Sequence, residues 1–250
     1  MIDAGFRQSP RRASQLKDHS ATSGRIMGGV ITTIDSYPFM TSLLHSSDFV
    51  NYVQSCAGSI LTNKAILSAA HCFAGEQPSR WRIRTGSSWA NSRGTVYSIS
   101  QIIIHPNYNS RTYDSDIAIL KPVSNIALVG FVAVGSIAGA NYKLGSALQY
   151  LTTGTTTGTL RRVQIWSINQ NICRSRYAEL GRTVTNNMLC SGWIDVGGRD
   201  QCQDDAGGPL IHNNVIVGVA SWGHQCGLAR YPGVNTRVSN FTNWIVSNAA

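Results

Sequence analysis

Short apolar runs separated by turn residues are the feature that most limits how this chain can fold. Several of the runs border Gly, Asn or Ser, and all of them are too short for long helices. Runs of this kind are typical of β-strands. The clearest examples are Ala65–Ala70, Thr95–Ser100, Gln101–Ile104, Ile117–Leu120, Leu160–Trp166 and Val215–Trp222. We therefore expect an all-β fold.

The composition argues against two other classes of protein. Charged residues make up only 13% of the 250 residues, hydrophobic residues make up 42%, and there are 24 glycines. Intrinsically disordered chains combine low hydrophobicity with high charge. Coiled coils and other long helices need far more Glu, Lys and Ala. The length suits one large domain or two small ones, with enough residues to bury a core.

Both ends of the chain depart from the strand pattern. Residues 1–25 lack periodicity and carry mostly basic charges, which predicts a flexible basic extension. Ser239–Ser247 is the only stretch that predicts a helix, with Ser239 or Asn240 as its N-cap. The sequence Asn-Phe-Thr that starts at Asn240 is also a glycosylation sequon, and an unmodified capping residue is the alternative interpretation. The Thr-rich stretch Thr152–Thr159 is expected in a surface loop.

The charge balance is basic, but the cations are not concentrated. Lys and Arg number 21 against 12 Asp and Glu, which gives a net charge of +9. Nucleic-acid binders usually gather cations in a stripe with interleaved aromatic residues. Here the cations form only small clusters, Arg80, Arg82, Arg84 and Arg161, Arg162, so we expect a solvated basic surface and no nucleic-acid partner. No apolar run is long enough to predict a membrane span.

Six cysteines are present, and their spacing does not match a zinc site, so no metal and no cofactor are expected. An even number of cysteines predicts three disulfides in an oxidising compartment, and their pairing is left open by the spacing alone. A secreted protein is therefore indicated. Residues 1–25 contain no apolar stretch of the kind found in signal peptides, so a signal peptide is absent from this sequence.

Three segments contain the residues that can carry chemistry. They are Leu67–Cys72, which includes His71, Tyr113–Leu120, which includes Asp116, and Asp200–Leu210. A His beside a Cys is more often structural than catalytic, and an Asp before an apolar run often only begins a strand. The argument for a functional site therefore depends on the three segments together.

In this order and spacing, the three segments resemble the chymotrypsin/trypsin family of serine endopeptidases. Arg25–Gly29 and Ser221–Gly223, the latter followed by Cys226, extend the match. The amino-acid sequence is similar to that of digestive trypsins from moths and butterflies, which work in alkaline guts. That setting agrees with the preference for Arg over Lys, because a guanidinium stays charged at alkaline pH.

The resemblance implies two six-stranded antiparallel β-barrels and a C-terminal helix, with the active site between the barrels. It divides the chain into an activation propeptide (1–25), an N-terminal barrel (26–134) and a C-terminal barrel with the helix (135–250). It also implies a monomer and the disulfides Cys56–Cys72, Cys173–Cys190 and Cys202–Cys226.

The resemblance assigns catalytic roles to three positions. His71 would be the general base, and Asp116 would fix its tautomer and stabilise the imidazolium. The nucleophilic serine is replaced by Ala206, whose methyl group cannot attack a carbonyl. Asp204 stands where the family has a glycine whose N–H stabilises the oxyanion. Loss of a nucleophile costs about 10⁶ in turnover, and loss of one oxyanion donor costs about 10²–10³.

The same resemblance indicates that the substrate-binding residues of the family are present in this chain. Asp200 matches the acidic floor of the trypsin specificity pocket, and Gly223 and Gly233 match the glycines that keep it open to Arg or Lys. Ser221 belongs to the matching substrate-binding segment. Gln201, beside Asp200, is expected to narrow the pocket.

The activation positions are also retained. Cleavage after Arg25 by another protease would free the amino group of Ile26. Asp205 matches the buried partner of that ammonium group. A buried ion pair is favourable only when both charges meet. The presence of both Ile26 and Asp205 therefore predicts that cleavage still causes a conformational switch, even though catalysis is lost.

Three hypotheses follow. The leading one is a catalytically inactive trypsin homologue, secreted into a space such as the gut lumen, that binds protease inhibitors, peptides or proteins through an Arg or Lys side chain. The second is an active trypsin-like endopeptidase whose residues 204 and 206 are engineered or misread. The third is a basic module for polyanionic surfaces, and it depends only on the net charge of +9.

Overall fold

The computed structural model describes residues 28–152, 158–202 and 205–250. After the short strand β1 (Val30–Ile31), six antiparallel strands close into a barrel in the order β2-β3-β4-β7-β6-β5. Their bounds are β2 (Met40–His45), β3 (Val53–Thr62), β4 (Ala65–Ser68), β5 (Trp81–Thr85), β6 (Thr95–Ile104) and β7 (Ala118–Pro122). The runs predicted at 95–100 and 101–104 form the single strand β6, which has a bulge between Ile99 and Gln101.

A second closed barrel follows, in the order β9-β10-β11-β14-β13-β12. Its region contains β8 (Ser136–Ile137), β9 (Ala147–Thr152), β10 (Arg161–Ser167), α1 (Gln170–Ala178), β11 (Met188–Gly192), β12 (Pro209–His212), β13 (Val215–Trp222), β14 (Gly233–Arg237) and α2 (Thr242–Ala249). In addition, β1 pairs with β10, and β8 pairs in parallel with β13. The predicted fold, two six-stranded barrels with a C-terminal helix, is confirmed. The boundaries 26–134 and 135–250 stay a prediction.

Alternation along β5 explains where the first basic cluster lies. Trp81 and Ile83 are buried in the barrel, whereas Arg82 and Arg84 are half-exposed on its outer side. Successive side chains of a strand point to opposite faces. This Arg cluster is therefore a result of strand geometry, and it lies on the outside of the barrel.

The two barrels share one apolar core, which fixes their relative position. Buried Leu43 and Ile66 from the first barrel belong to the same cluster as Leu210 and Ile216 from the second. Three disulfides close loops in this framework, Cys56–Cys72, Cys173–Cys190 and Cys202–Cys226. They are the three pairs that the resemblance implies.

The helix prediction is wrong in two respects. Helix α1 was not expected, although Asn169 caps it by accepting hydrogen bonds from the backbone N–H groups of Asn171 and Ile172. The C-terminal helix exists, but it begins at Thr242 after a short 3₁₀ turn, so neither Ser239 nor Asn240 is its N-cap. The Asn240 side chain instead donates hydrogen bonds to Asn186 and Asn187.

Some predicted features fall largely or wholly outside the described residues. These are the basic extension 1–25 and most of the Thr-rich loop. Of that loop, Thr152 ends β9, and Thr159 forms an isolated bridge with Trp89. Within the described ranges, no helix is long and apolar enough to cross a membrane.

We predict that Asn169→Ala lowers the free energy of unfolding by about 1 kcal/mol, because it removes an N-cap that satisfies two helix N–H groups. Asn171→Ala is the matched control, since Asn171 is exposed and lies inside the same helix. It should change stability by less than about 0.5 kcal/mol. Chemical denaturation of both variants measures the difference, and equal effects would contradict the capping role.

Candidate active site

A cavity of about 530 Å³ lies where the two barrels meet. The first barrel contributes His71 to its wall, from the 3₁₀ turn Ala70–Cys72 that follows β4. The second barrel contributes Asp200, Ala206 and the end of β13. The cleft therefore brings together the three segments that the sequence singled out.

His71 and Asp116 are held together by two hydrogen bonds. The His71 Nδ1 and Asp116 Oδ2 atoms are 2.7 Å apart, and the His71 backbone N–H donates to Asp116 Oδ1 at 2.8 Å. The Asp116 side chain is fully buried, whereas His71 keeps 23% of its side chain exposed to the cleft. With Nδ1 facing the carboxylate, Nε2 is the ring nitrogen that can exchange a proton.

The second barrel also binds Asp116. The Ser221 hydroxyl, at the end of β13, donates to Asp116 Oδ2, and the Thr236 hydroxyl on β14 donates to the Asp116 carbonyl at 2.6 Å. The sequence placed Ser221 among the substrate-binding residues and did not predict its contact with Asp116. Both contacts join residues more than a hundred positions apart, so no local pattern could reveal them.

Ala206 lines the same cleft as His71 and presents a methyl group to it. Its carbonyl accepts a hydrogen bond from the Ala57 N–H at 2.8 Å, which ties the segment to the first barrel. The next residue, Gly207, has φ +80, and a Cβ there would lie 2.1 Å from the Ser68 hydroxyl oxygen. The backbone at Ala206 is therefore tightly constrained. Asp204, the predicted obstacle in the oxyanion hole, lies outside the described residues.

Asp200 forms the floor of a slot at one end of the cleft. It is 2% exposed, and its carboxylate accepts hydrogen bonds from the N–H groups of Gln201 and Gly227, at 2.8 and 3.2 Å. A Cβ on Gly233 would lie 2.5 Å from Asp200 Oδ1, so only glycine fits there. Gly223 is less crowded, since a Cβ there would find its nearest neighbour at 3.6 Å.

The Asp200 carboxyl is also strongly perturbed. Burial raises its pKa to about 8, the three backbone N–H groups of Gly227, Gln201 and Gly233 oppose that rise, and the charge of Asp205 adds to it. A desolvated carboxylate is costly unless a cation meets it. The slot is therefore an environment in which a cationic ligand would gain a strong partner.

Asp205 is fully buried behind the cleft. Its Oδ2 accepts a hydrogen bond from the Cys202 N–H at 2.8 Å, and its carbonyl accepts one from the Tyr150 hydroxyl at 2.5 Å. The predicted partner, the amino group of Ile26, and the cleavage position Arg25 both lie outside the described residues.

Some residues of the cleft were missed by the sequence analysis. Tyr113 packs edge-to-face on His71, with ring centroids 5.5 Å apart. The Arg182 guanidinium lies 5.3 Å from the centre of the Trp222 ring. In the part of the chain that the structure covers, no group of three His, Cys, Asp or Glu residues could hold a metal ion.

Comparison with known proteins identifies relatives over nearly the whole chain. The family model described as Trypsin matches residues 26–245. Trypsin CFT-1 of Choristoneura fumiferana is 58% identical over 233 residues, which cover 90% of this chain and 91% of that protein. Trypsin, alkaline B of Manduca sexta is 53% identical, covering 92% and 93%. Achelase-1 of Lonomia achelous is 48% identical, covering 90% and 100%.

We predict that Gly233→Ala destabilises the protein by about 1–3 kcal/mol, because the added methyl group would overlap the Asp200 carboxylate. Gly223→Ala is the matched control, because Gly223 also lines the cleft and a methyl group there meets only ordinary contacts. Its effect should stay below about 0.5 kcal/mol. Thermal unfolding of the two variants tests this, and an unaffected Gly233→Ala protein would mean that the slot is wider than described.

Proposed function

This chain belongs to the trypsin family, and from that premise we propose that it is a secreted family member that binds ligands in its substrate cleft without cleaving them. The ligands would be protease inhibitors, peptides or proteins that insert an Arg or Lys side chain. A protease that cleaves after Arg25 would activate this binding. The gut lumen is the proposed location, since several relatives are named alkaline trypsins.

The observation that supports the proposal is that Ala206, whose side chain is only a methyl group, lines the same cleft as His71. His71 and Asp116 retain a geometry suited to general-base catalysis, but Ala206 offers no hydroxyl group that this base could activate as the covalent nucleophile. Asp204 adds a second obstacle, because it replaces the glycine that the family uses as an oxyanion donor. Two changes so close together favour a natural loss of catalysis over a single engineered exchange.

The binding part of the proposal depends on the slot above Asp200. Gly233 leaves the buried carboxylate of Asp200 accessible from the cleft. This carboxylate does not stabilise the fold on its own, because burial disfavours its charged form. A basic side chain entering the slot would form a charge-assisted hydrogen bond away from water. The slot is therefore best explained as a binding site that persists in the absence of proteolysis.

An active trypsin-like endopeptidase that cleaves after Arg or Lys is the second candidate. It is favoured by the names of the relatives and by the intact contact between His71 and Asp116. This candidate requires that Asp204 and Ala206 in this sequence are not the residues that the natural protein has at these positions. Sequencing the corresponding codons in the natural gene distinguishes the two candidates.

We predict that the protein does not hydrolyse Arg or Lys amide substrates after cleavage at Arg25. Ala206→Ser alone should give a poor enzyme, because Asp204 still disturbs the oxyanion hole. Ala206→Ser combined with Asp204→Gly should be faster by about 10²-fold or more, the value of one oxyanion donor. Initial rates on a chromogenic Arg amide measure both.

His71→Ala in the doubly substituted protein is the control for contaminating protease, and it should abolish the restored activity. Turnover by the unmodified chain within about a hundredfold of a digestive trypsin would refute the proposal of inactivity. A single variant as fast as the double variant would refute the role given to Asp204.

We also predict that benzamidine, a small planar cation, binds to the cleaved protein, and that binding tightens with pH. Because burial raises the pKa of Asp200 to about 8, the carboxyl is mostly neutral at lower pH and cannot pair with a cation. The association constant should rise about tenfold per pH unit below 8 and level off above about 9. Calorimetry from pH 6 to 9.5 tests this.

Asp200→Ser should abolish that binding, whereas Asp195→Ser, which removes a carboxylate whose side chain is 71% exposed, should not. An uncleavable Arg25→Gln protein should bind weakly. Equal binding by all these proteins would place the cation elsewhere and remove the support for a functional slot.

A further inference from the structure

Three arginine side chains lie over aromatic rings on the outside of the first barrel. The distances from guanidinium carbon to ring centre are 4.5, 4.6 and 5.7 Å, for the pairs Arg80–Phe49, Arg82–Tyr52 and Arg93–Trp89. A guanidinium group that stacks on a ring is held in place, while its N–H groups can still donate hydrogen bonds. Together with Arg84, these three residues form a set of cations that we call the arginine row.

Strand geometry sets the order of the arginine row. Arg82 and Arg84 lie on the same outer face of β5, about 7 Å apart along the strand. Arg93 lies next to Arg84, because the Arg84 guanidinium donates hydrogen bonds to the backbone carbonyls of Arg93 and Asn91. The loop between β5 and β6 therefore continues the row that β5 begins.

Uncharged hydrogen-bond partners hold the centre of the arginine row in place. The Tyr52 hydroxyl donates to the Ser79 carbonyl at 2.8 Å, which fixes the ring under Arg82. The Arg82 Nη1 atom donates to the Ser98 hydroxyl at 2.9 Å. That bond uses one of the five N–H donors of a guanidinium group. Arg82 is half-exposed, so it can present other donors to a ligand in a fixed orientation.

The charge of the arginine row is balanced at one end only. At that end, Glu76 lies 3.9 Å from Arg80 Nε, and Asp48 precedes Phe49 in the chain. In the ranges that the structure covers, no carboxylate forms an ion pair with the other members of the row, Arg82, Arg84 and Arg93. Neighbouring like charges repel each other. An anion bound at this end would relieve that repulsion.

Exposed apolar groups accompany these cations. Phe49 is 48% exposed and Trp89 is 41% exposed. Val96, which is 44% exposed, lies opposite Arg84 in the β5–β6 pair. A ligand with anionic groups alone would leave these apolar groups in water. A sugar ring offers C–H groups that pack against the negative face of an aromatic ring, so an anionic polysaccharide would match both parts of the surface.

We propose that the arginine row binds a sulfated polysaccharide. Arg82 and Arg93 would hold sulfate groups, Arg84 would add charge between them, and sugar rings would pack on the exposed aromatic rings. A guanidinium fork matches two oxygens of one anionic group. The residues of the row do not line the cleft, so this site goes beyond the proposed function and does not depend on it.

Two other kinds of polyanion match the surface less well. A single-stranded nucleic acid binds by stacking its bases on open aromatic faces, but a guanidinium group already covers one face of each ring. An acidic peptide loses backbone and side-chain freedom when it is ordered along a surface. Sulfate groups on a stiff sugar chain are spaced before binding, so less freedom is lost.

The test measures the dissociation constant of a short heparin fragment by calorimetry at about 0.1 M salt. The full chain is measured before and after cleavage at Arg25, because residues 1–25 are themselves basic. The cleaved protein should bind the fragment, and added salt should weaken binding steeply, as it does for other polyanions. Chemical removal of the sulfate groups from the fragment should abolish binding.

Arg82→Gln combined with Arg93→Gln should weaken heparin binding by about tenfold or more, the scale of one hydrogen bond to a charged group. Arg82→Lys combined with Arg93→Lys should also weaken it, because an ammonium group keeps the charge and loses the fork. The matched control is Lys143→Gln combined with Arg162→Gln, which removes two exposed cations from the second barrel. It should leave the affinity nearly unchanged, and thermal unfolding checks that each variant is folded.

Three outcomes would overturn the proposal. If the cleaved protein does not bind the heparin fragment, the site does not exist. If the control variant loses as much affinity as the variant without Arg82 and Arg93, net charge alone attracts the polyanion. If polyglutamate or oligothymidylate of the same charge binds as tightly as the heparin fragment, the arginine row does not select a sulfated polysaccharide.

Discussion

The buried carboxylate of Asp116 joins the two barrels of this protein. Its donors come from both sides, the His71 N–H and ring from the first barrel and the Ser221 hydroxyl from the second. The Thr236 hydroxyl binds the carbonyl of the same residue. A fully buried charge is tolerated only when its hydrogen-bonding capacity is used, and removing one partner typically costs about 3–5 kcal/mol. Two of these donors, His71 and Ser221, also line the cleft between the barrels.

This dependence changes what an intact His71–Asp116 pair can tell about function. If the pair helps to hold the barrels together, it is retained whether or not the protein cleaves peptides. Ala206 has no comparable structural duty for its side chain, since its described hydrogen bond to Ala57 uses the backbone carbonyl. A hydroxyl group at position 206 can therefore be lost without unfolding the chain. Under the proposed function, the side chain at position 206 determines whether the site can cleave peptides, whereas Asp116 connects the two barrels.

The sequence predicted the fold better than the details of the site. β13 has the bounds that its apolar run predicted, because a buried strand needs a continuous apolar stretch. Helix α1 was missed because it is short and mostly polar, although Asn169 was a readable capping signal. The resemblance assigned Asp200 and Gly233 to one pocket, and the structure places these two residues side by side. No sequence pattern could orient Gln201. Its amide depends on the carbonyls of Trp222 and Val234, which lie far along the chain and meet it only after the barrel closes.

The electrostatics of the slot point to the conditions under which it would work. Burial raises the pKa of Asp200 to about 8, so the carboxylate is fully charged only in alkaline solution. A lysine ammonium group stays protonated up to a pKa of about 10.4. Both partners are therefore charged between about pH 8 and 10, and a bound cation would extend this range to lower pH by favouring the ionised carboxylate. The Arg-rich surface keeps its charge across the same range. Under the proposed function, this slot would therefore bind a basic ligand best in an alkaline fluid and less tightly as the pH falls towards neutral.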